Sequence, residues 1–202
     1  MDSKESFIYN LIKDYEDSSG QNDKLSVLKG SIMKLALTQT GSRFLQKQLT
    51  KANTTLVEFL LEEIGCSLCE LMTDSYGNYF CQKLLLSCSG NQRLSILQNM
   101  RERIIEVCCN KKGTHTIQTM VDLVNLPEEE DFIRKALRGN IVRLSLDSQG
   151  THVVQKVIIC FGEEKRQFVF DEIHEEFFNV STNSYGLCVI KKLVVHTTFR
   201  EN

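Results

Sequence analysis

The sequence predicts an all-α protein, built as a solenoid of about five three-helix repeats with the last repeat incomplete. Two observations support this prediction. Five similar segments return along the chain, and their glycines are spaced by 36, 36, 37 and 36 residues. Apolar residues also recur every three or four positions, which is typical of helices that bury one stripe, and no strand-like alternation competes with this pattern.

The repeated segments, here called motif segments, each begin with a residue type that often caps a helix. They start at Thr38, Asp74, Asn110, Asp147 and Asn183 and read TQTGSRFLQKQL, DSYGNYFCQKLL, NKKGTHTIQTMV, DSQGTHVVQKVI and NSYGLCVIKKLV. Capping there puts the glycine in the first turn of the motif helix. In the alternative, Ser42, Asn78 and Thr114 are themselves caps. That alternative is less favoured, because a capping box places Glu or Gln three residues after the cap and here Gln follows at four.

Two further helical patterns complete each period. A short apolar segment precedes the motif segment, as at 32–36 and 68–72, and a longer amphipathic stretch follows it, as at 56–60 and 168–173. The one longer interval contains NLPEEED and the only proline of the chain, which we interpret as an insertion in a loop.

These patterns divide the chain into successive repeats. We interpret residues 1–202 as a single repeat array. Residues 1–27 are expected to be an N-terminal capping pseudo-repeat. Residues 28–64, 65–102, 103–138 and 139–175 are expected to be repeats one to four, and residues 176–202 a truncated repeat five that lacks its third helix.

Composition limits the possible functions. The formal net charge of −2 and a pI near 6.1 count mildly against nucleic-acid binding. Four lysines directly follow the key positions of the motif helices and are expected to make one face locally basic: Lys47, Lys83, Lys156 and Lys192. Acidic runs at 62–63, 127–131 and 175–176 fall outside the motif helices, and we expect them on a solvated outer face.

Several classes of protein are disfavoured by the same sequence. The longest uninterrupted apolar run covers only residues 157–161, and the charged N-terminus has no signal-peptide pattern, so we expect a cytoplasmic protein without a membrane span. Cys66 and Cys69 form the only CxxC pair, so neither a metal site nor a cofactor is expected. We expect Cys81, Cys160 and Cys188 to be buried. No nucleophile–base pair or catalytic motif is present, so an enzyme is the least favoured class.

Each motif helix carries three side chains at positions i, i+1 and i+4, here called the trio. In a helix, i and i+4 share one face and i+1 projects beside them, while the apolar pair between them faces the core. The trios are Ser42/Arg43/Gln46, Asn78/Tyr79/Gln82, Thr114/His115/Gln118, Thr151/His152/Gln155 and Leu187/Cys188/Lys191. A glutamine amide both donates and accepts hydrogen bonds, and the planar i+1 groups of the first four trios can stack on a base, so the pattern suits nucleobase recognition.

At these residues the chain resembles the Pumilio-homology (PUF) family of RNA-binding repeat proteins, over roughly residues 24–195. The resemblance implies a right-handed α-solenoid of PUF-type repeats that reads single-stranded mRNA at one base per repeat. Such a domain usually has eight repeats, so we expect this chain to be a fragment truncated at its C-terminus.

The resemblance also implies a role for each trio. The first four i and i+4 pairs would contact base edges, and Arg43, Tyr79, His115 and His152 would stack. The first pair resembles an adenine reader, the second a uracil reader, the third is near the adenine type, and the fourth is compatible with adenine or uracil. The fifth trio departs from the code, and only Lys191 is a candidate for an RNA contact. Because RNA runs antiparallel to the repeats in this family, the expected reading is 5′-N-(A/U)-A-U-A-3′.

Two functions remain as hypotheses. In the first, a monomer binds mRNA 3′ untranslated regions for translational repression or decay, with protein co-regulators on its outer face. In the second, the helical repeats form a scaffold that binds protein or structured RNA without reading bases. The four intact trios favour the first, whereas the degenerate fifth trio and the negative net charge favour the second.

Overall fold

The computed structural model describes residues 3–51 and 53–198. Within these residues the regular structure is α-helical apart from one 3₁₀ turn, and it contains no β-strand, which confirms the predicted all-α class. The chain forms two compact units, residues 1–88 and residues 89–202.

The first unit contains seven α-helices among its described residues: α1 Ser3–Asp17, α2 Gln21–Leu28, α3 Ile32–Ala36, α4 Gln39–Leu49, α5 Thr54–Ile64, α6 Leu68–Thr73 and α7 Gly77–Ser87. The 3₁₀ turn Gly65–Ser67 precedes α6. Helix α1 lies against the first motif helix, α4, where the rings of Tyr15 and Phe44 meet edge to face at 5.0 Å. The Tyr15 hydroxyl also donates to Gln48 Oε1 at 3.3 Å.

The second unit contains nine α-helices among its described residues: α8 Gly90–Asn99, α9 Ile104–Cys108, α10 Gly113–Asp122, α11 Pro127–Leu137, α12 Ile141–Leu146, α13 Gly150–Cys160, α14 Glu163–Glu175, α15 Phe177–Thr182 and α16 Ser184–Thr198. The predicted order of short helix, motif helix and longer helix is therefore confirmed. The loop interpretation of NLPEEED is correct for Asn125 and Leu126, which lie between α10 and α11, and wrong for the rest, because Pro127 is the first residue of α11. Proline suits that position, where its missing N–H would have no helical partner.

The side chain of the first residue of each motif segment accepts hydrogen bonds at the start of the motif helix, as predicted. Thr38 and Asn183 directly precede α4 and α16, whereas Asp74, Asn110 and Asp147 lie three residues before the first residue of their helices. The Asp74 carboxylate accepts hydrogen bonds from the backbone N–H groups of Tyr76 and Gly77, both at 2.8 Å. The same bonds to the second and third following residues occur at Asn110, Asp147 and Asn183. The Thr38 hydroxyl accepts only from Gly41 N–H. Because these caps supply the acceptors, the alternative in which Ser42, Asn78 and Thr114 cap their helices is wrong.

The repeated glycine is explained by close packing within each repeat. A Cβ atom on Gly77 would lie 2.6 Å from the carbonyl oxygen of Leu71, six residues earlier on the short helix α6. The same spacing of six residues brings Gly113 against Val107, and the remaining three motif glycines meet a carbonyl in the same way. Real Cβ contacts are not this short, so any side chain would push the motif helix away from the short helix.

The apolar pairs of the motif helices form part of the core, together with residues of the short helices, such as Leu35, and of the third helices, such as Leu60. In the first unit α4 packs on α7, and in the second α10 packs on α13 and α13 on α16. The side chains between the trio positions are buried in the first four repeats: Phe44, Leu45, Phe80, Cys81, Thr116, Ile117, Val153 and Val154. In the fifth repeat Val189 is buried, whereas Ile190 is half-buried in an apolar groove with Phe177 and Leu193.

The prediction of buried cysteines is correct for Cys81 and wrong for Cys160 and Cys188, which are exposed. Cys188 occupies the i+1 position of its trio, which points away from the core, and Cys160 is the last residue of α13. Burial raises the pKa of the Cys81 thiol far above its usual range, and the same holds for Cys108, so both thiols stay protonated.

The acidic run at 127–131 is not wholly solvated as predicted, because Glu129 is 0% exposed. Its carboxylate accepts from Arg93 Nε at 2.8 Å and from Arg93 Nη2 at 3.2 Å, and it also accepts from the backbone N–H groups of Asn125 and Leu126. Arg93 lies on α8, so this buried pair joins α8 to α11. An ion pair buried to this degree is held by its additional hydrogen bonds.

Candidate nucleic-acid interface

The first two trios lie on neighbouring helices of the first unit, α4 and α7. The planar side chains at i+1, Arg43 and Tyr79, are exposed, Tyr79 by 55%. The glutamines at i+4, Gln46 and Gln82, are half-buried. Each helix therefore presents an exposed planar group beside an amide that is only partly accessible.

The i-position hydroxyl of the first trio is buried and makes two hydrogen bonds. Ser42 is 2% exposed. Its Oγ donates to the backbone carbonyl of Tyr76 at 2.8 Å, in the following motif segment, and accepts from Gln46 Nε2 at 3.1 Å. The serine thus connects the glutamine of one repeat to the backbone of the next repeat.

The second trio holds its glutamine differently. The Asn78 amide donates from Nδ2 to the carbonyls of Asp74 at 2.8 Å and Ser75 at 3.1 Å, within its own motif segment. The Asn78 oxygen Oδ1 therefore faces Gln82, and it accepts from Gln82 Nε2 at 3.1 Å. Gln82 Nε2 also lies 3.3 Å from the Asn78 backbone carbonyl, so its N–H groups are directed at Asn78 and its Oε1 is turned away.

The third and fourth trios in the second unit repeat the arrangement of the first. Thr114 Oγ1 donates to the carbonyl of Gln149 at 3.1 Å and accepts from Gln118 Nε2 at 3.2 Å. Thr151 Oγ1 donates to the carbonyl of Tyr185 and accepts from Gln155 Nε2, both at 3.2 Å.

The remaining members of these two trios also match the first unit. Thr114 is 0% and Thr151 3% exposed, so neither hydroxyl lies at the surface. His115 and His152 are exposed, and both glutamines, Gln118 and Gln155, are half-buried.

The fifth trio cannot make this arrangement. Leu187 has no polar side-chain atom and is 38% exposed. Cys188 and Lys191 are also exposed, and the Cys188 thiol donates to the carbonyl of Ser184 at 3.4 Å. The helix and its cap are kept in this repeat, while the hydroxyl, the planar group and the glutamine are all replaced.

The expectation of a basic face is wrong at Lys156. Its Nζ lies 2.9 Å from Asp122 Oδ2, so an acidic residue of the same unit offsets its charge. Lys47 is exposed, and Lys83 and Lys192 are half-buried. The lysines that follow the trios therefore do not form a uniform positive stripe.

Residues 3–51 and 53–198 contain no cluster of three or more His, Cys, Asp or Glu side chains that could hold a metal ion. No helix in this part of the chain is both long and apolar enough to cross a membrane.

Sequence reasoning missed the carbonyl oxygens that accept from the buried hydroxyls. They belong to Tyr76, Gln149 and Tyr185, each the residue before a motif glycine. Every residue has a backbone carbonyl, so the residue type does not show which carbonyl accepts a hydrogen bond from a side chain. The only available signal was positional, since all three residues occupy the same place in the motif segment.

The repeat sequence can be compared with known families. The model of the Pumilio-family RNA binding repeat matches residues 31–64, 67–100, 103–133, 140–174 and 176–201. The chain belongs to the Pumilio (PUF) family. A Pumilio domain-containing protein of Schizosaccharomyces pombe is 36% identical to the PUF chain over 174 residues, which are 86% of this chain and 26% of the relative. Suppressor protein MPT5 of Saccharomyces cerevisiae is 32% identical over 179 residues, covering 84% of this chain and 21% of MPT5.

Solved PUF structures share the fold. The Puf4 RNA-binding domain bound to an HO endonuclease 3′ UTR recognition sequence superposes with a TM-score of 0.79 at 35% identity, covering 83% of this chain and 52% of Puf4's. The RNA-binding domain of yeast Puf5p bound to SMX2 RNA superposes with a TM-score of 0.77 at 30% identity, covering 85% of this chain and 50% of the Puf5p chain. These likenesses confirm the predicted α-solenoid of PUF-type repeats. The PUF chain spans about half of these solved domains and about a quarter of the S. pombe relative.

Proposed function

We propose that this PUF chain binds single-stranded RNA sequence-specifically, at one base per repeat, for post-transcriptional control of mRNA. One observation carries the proposal. In four repeats a half-buried glutamine is held by a hydrogen bond from its amide nitrogen to the i-position residue, beside an exposed planar side chain. The solved structures of Puf4 and Puf5p, which share the fold at 35% and 30% identity, contain RNA.

Each part of the trio supplies one element of base recognition. Stacking of a base on an aromatic or guanidinium plane contributes about 1–3 kcal/mol and tolerates any base. The glutamine amide then reads the base edge, because it offers a hydrogen-bond acceptor and a donor at fixed positions. Since Arg43, Tyr79, His115 and His152 are exposed while the glutamines are half-buried, a base can lie on the planar group with its edge toward the amide.

The preferred sequence follows from the order of the trios, with the chain and the RNA antiparallel. We propose the reading 5′-N-(A/U)-A-U-A-3′, with no base assigned to repeat five, where Lys191 is a candidate for a phosphate or carbonyl contact. The second trio supports uracil. Both acceptors of Asn78 lie near Gln82 Nε2, so the free Oε1 can accept from the N3–H group of uracil.

The test is selection of RNA ligands from a randomised pool by the 202-residue chain, followed by affinity measurement. We expect enrichment of AUA. A variant with Gln46, Gln82, Gln118 and Gln155 all changed to alanine should lose the enrichment. Gln98→Ala changes an exposed glutamine outside the trios and should retain it. Enrichment of no sequence by the native chain would contradict the proposal.

The second candidate function is a helical scaffold for protein or structured RNA. Its specific support is the fifth repeat, which has lost its trio, together with the pairing of Lys156 with Asp122. Binding of structured RNA in the selection, without base preference and without an effect of the four alanines, would favour the scaffold. For either function we propose a monomeric binding module rather than an enzyme, acting in the cytoplasm with protein co-regulators on its outer face.

A further inference from the structure

We infer that Ser42, Thr114 and Thr151 are positioning residues. Each orients the glutamine of its own trio by tying it to the backbone of the next repeat, without itself touching the base. This inference rests on the proposed function and deepens it. The burial of the hydroxyls motivates it, since Thr114 is 0% and Ser42 2% exposed, which leaves little surface for a base.

The orientation follows from counting protons. A hydroxyl has one proton, and a backbone carbonyl can only accept. Because Thr114 Oγ1 lies 3.1 Å from the Gln149 carbonyl, its proton is committed to that bond. The oxygen then has only lone pairs to offer Gln118, so the glutamine must present an N–H group, and Gln118 Nε2 does lie 3.2 Å away. The amide oxygen of Gln118 is thereby turned outward.

The oriented amide favours one base edge. One N–H is bound to the threonine, which leaves the second N–H and the outward Oε1 side by side. Adenine matches this pair, because it presents a donor and an acceptor next to each other. Guanine presents the reverse order on its Watson–Crick edge, with the O6 acceptor where adenine has its N6–H donor and the N1–H donor where adenine has its N1 acceptor, so a guanine stacked in the same place would put O6 against Oε1. Without the hydroxyl, rotation of the amide would exchange its oxygen and nitrogen and remove the discrimination.

The same geometry settles the preference expected of repeat four. Thr151 and Gln155 repeat the bonds of the third trio, with Tyr185 supplying the carbonyl. The second trio uses an asparagine whose own amide is bound within its motif segment, and its Gln82 directs Nε2 at two acceptors. Repeat four therefore belongs with the adenine readers, and the expected sequence becomes 5′-N-A-A-U-A-3′.

The experiment compares three variants of the 202-residue chain. Thr114→Val removes the hydroxyl and keeps the shape of the side chain. Thr114→Ser keeps the hydroxyl. The matched control is Thr116→Val, two residues along the same helix, because the buried Thr116 hydroxyl has no hydrogen-bond partner among the described residues. For each protein, affinities are measured for RNAs that differ only in adenine or guanine opposite repeat three, and unfolding is followed by circular dichroism.

We expect the native chain to prefer adenine roughly ten-fold or more at this position, within the range of one bidentate contact. Thr114→Val should bring the affinities for adenine and guanine opposite repeat three to within about three-fold of each other. The preference for uracil opposite repeat two should be unchanged. Thr114→Ser and Thr116→Val should retain the adenine preference.

Three results would overturn the inference. If Thr114→Val weakens binding equally for both bases, the hydroxyl has only a structural role. If Thr114→Val keeps both the native affinities and the native ratio, orientation does not depend on the hydroxyl, although the proposed function stands. If the native chain binds no RNA, both the inference and the proposed function fail.

Discussion

The second repeat allows the base preference to be changed by design. We predict that Gln82→Glu combined with Asn78→Ser changes the preferred base from uracil to guanine. In the native chain the Gln82 nitrogen is directed at Asn78, at 3.1 Å from Oδ1, and we propose the outward Oε1 as the acceptor for uracil. A glutamate has two acceptor oxygens and no donor, so the base that pairs with it must donate twice. Guanine does so through N1–H and N2–H.

The expected magnitude follows from the contacts that change. Hydrogen bonds to a charged group contribute about 1.5–3 kcal/mol each, but Gln82 is half-buried, so solvent reduces the value for a carboxylate there. The double variant should therefore bind RNA with guanine at this position more tightly than RNA with uracil by about 1–3 kcal/mol, which corresponds to roughly 5- to 150-fold in affinity. Uracil can still donate its N3–H to one carboxylate oxygen, but a uracil carbonyl would then face the other carboxylate oxygen, and two acceptors repel each other.

The assay is selection from a randomised pool, followed by affinities for RNAs with uracil, guanine or adenine at this one position. The single variant Asn78→Ser recreates the serine–glutamine pair of repeat one, and we expect it to favour adenine. Tyr79 is unchanged in both variants, so stacking is held constant. A uracil preference that persists in the double variant would refute the assignment of Gln82 as the edge reader, as would a loss of binding without any gain for guanine.

Two further predictions concern packing and the path of the RNA. Gly113→Ala should destabilise the chain by about 1–3 kcal/mol in thermal unfolding, because the new Cβ would lie 2.6 Å from the Val107 carbonyl. Gly162→Ala has no atom within 4 Å of the new Cβ, so it should cost only the weaker N-cap of α14, about 1 kcal/mol or less, and a loss as large as that of Gly113→Ala would contradict the packing explanation. Bound RNA should slow alkylation of the exposed Cys188 and leave that of Cys66 unchanged, as measured by mass spectrometry. An unchanged rate at Cys188 would place the RNA away from repeat five.

Much of the fold and of the candidate site could be read from the sequence, because the relevant signals are local and repeated five times. The cap residues, such as Asp74, bond to N–H groups only two or three residues away, so residue type and spacing were sufficient to predict them. The apolar pairs, such as Phe80 and Cys81, follow from helical periodicity. The trios were recognisable because polar residues recurred beside those pairs at one period.

The remaining features depend on neighbours that are distant in the sequence. Glu129 looked like part of a solvated acidic run, but it is buried because Arg93, 36 residues earlier, lies against it. Lys156 was expected to contribute positive charge and instead pairs with Asp122, one repeat away. In each case the partner is set by which helices pack together, and residue type does not encode this.

The sequence by itself determined the period, the helix starts, the core-facing pairs and the residues of the trios, because each of these depends on spacing within one helix. Only the tertiary structure decided what the trio residues do. The distance from Ser42 to the Tyr76 carbonyl, and from Thr114 to that of Gln149, is set by the packing of one motif helix on the next. That packing takes up the proton of each hydroxyl and turns the glutamine, and on this basis we propose that the trio is divided into an orienting residue, a stacking residue and a reading residue.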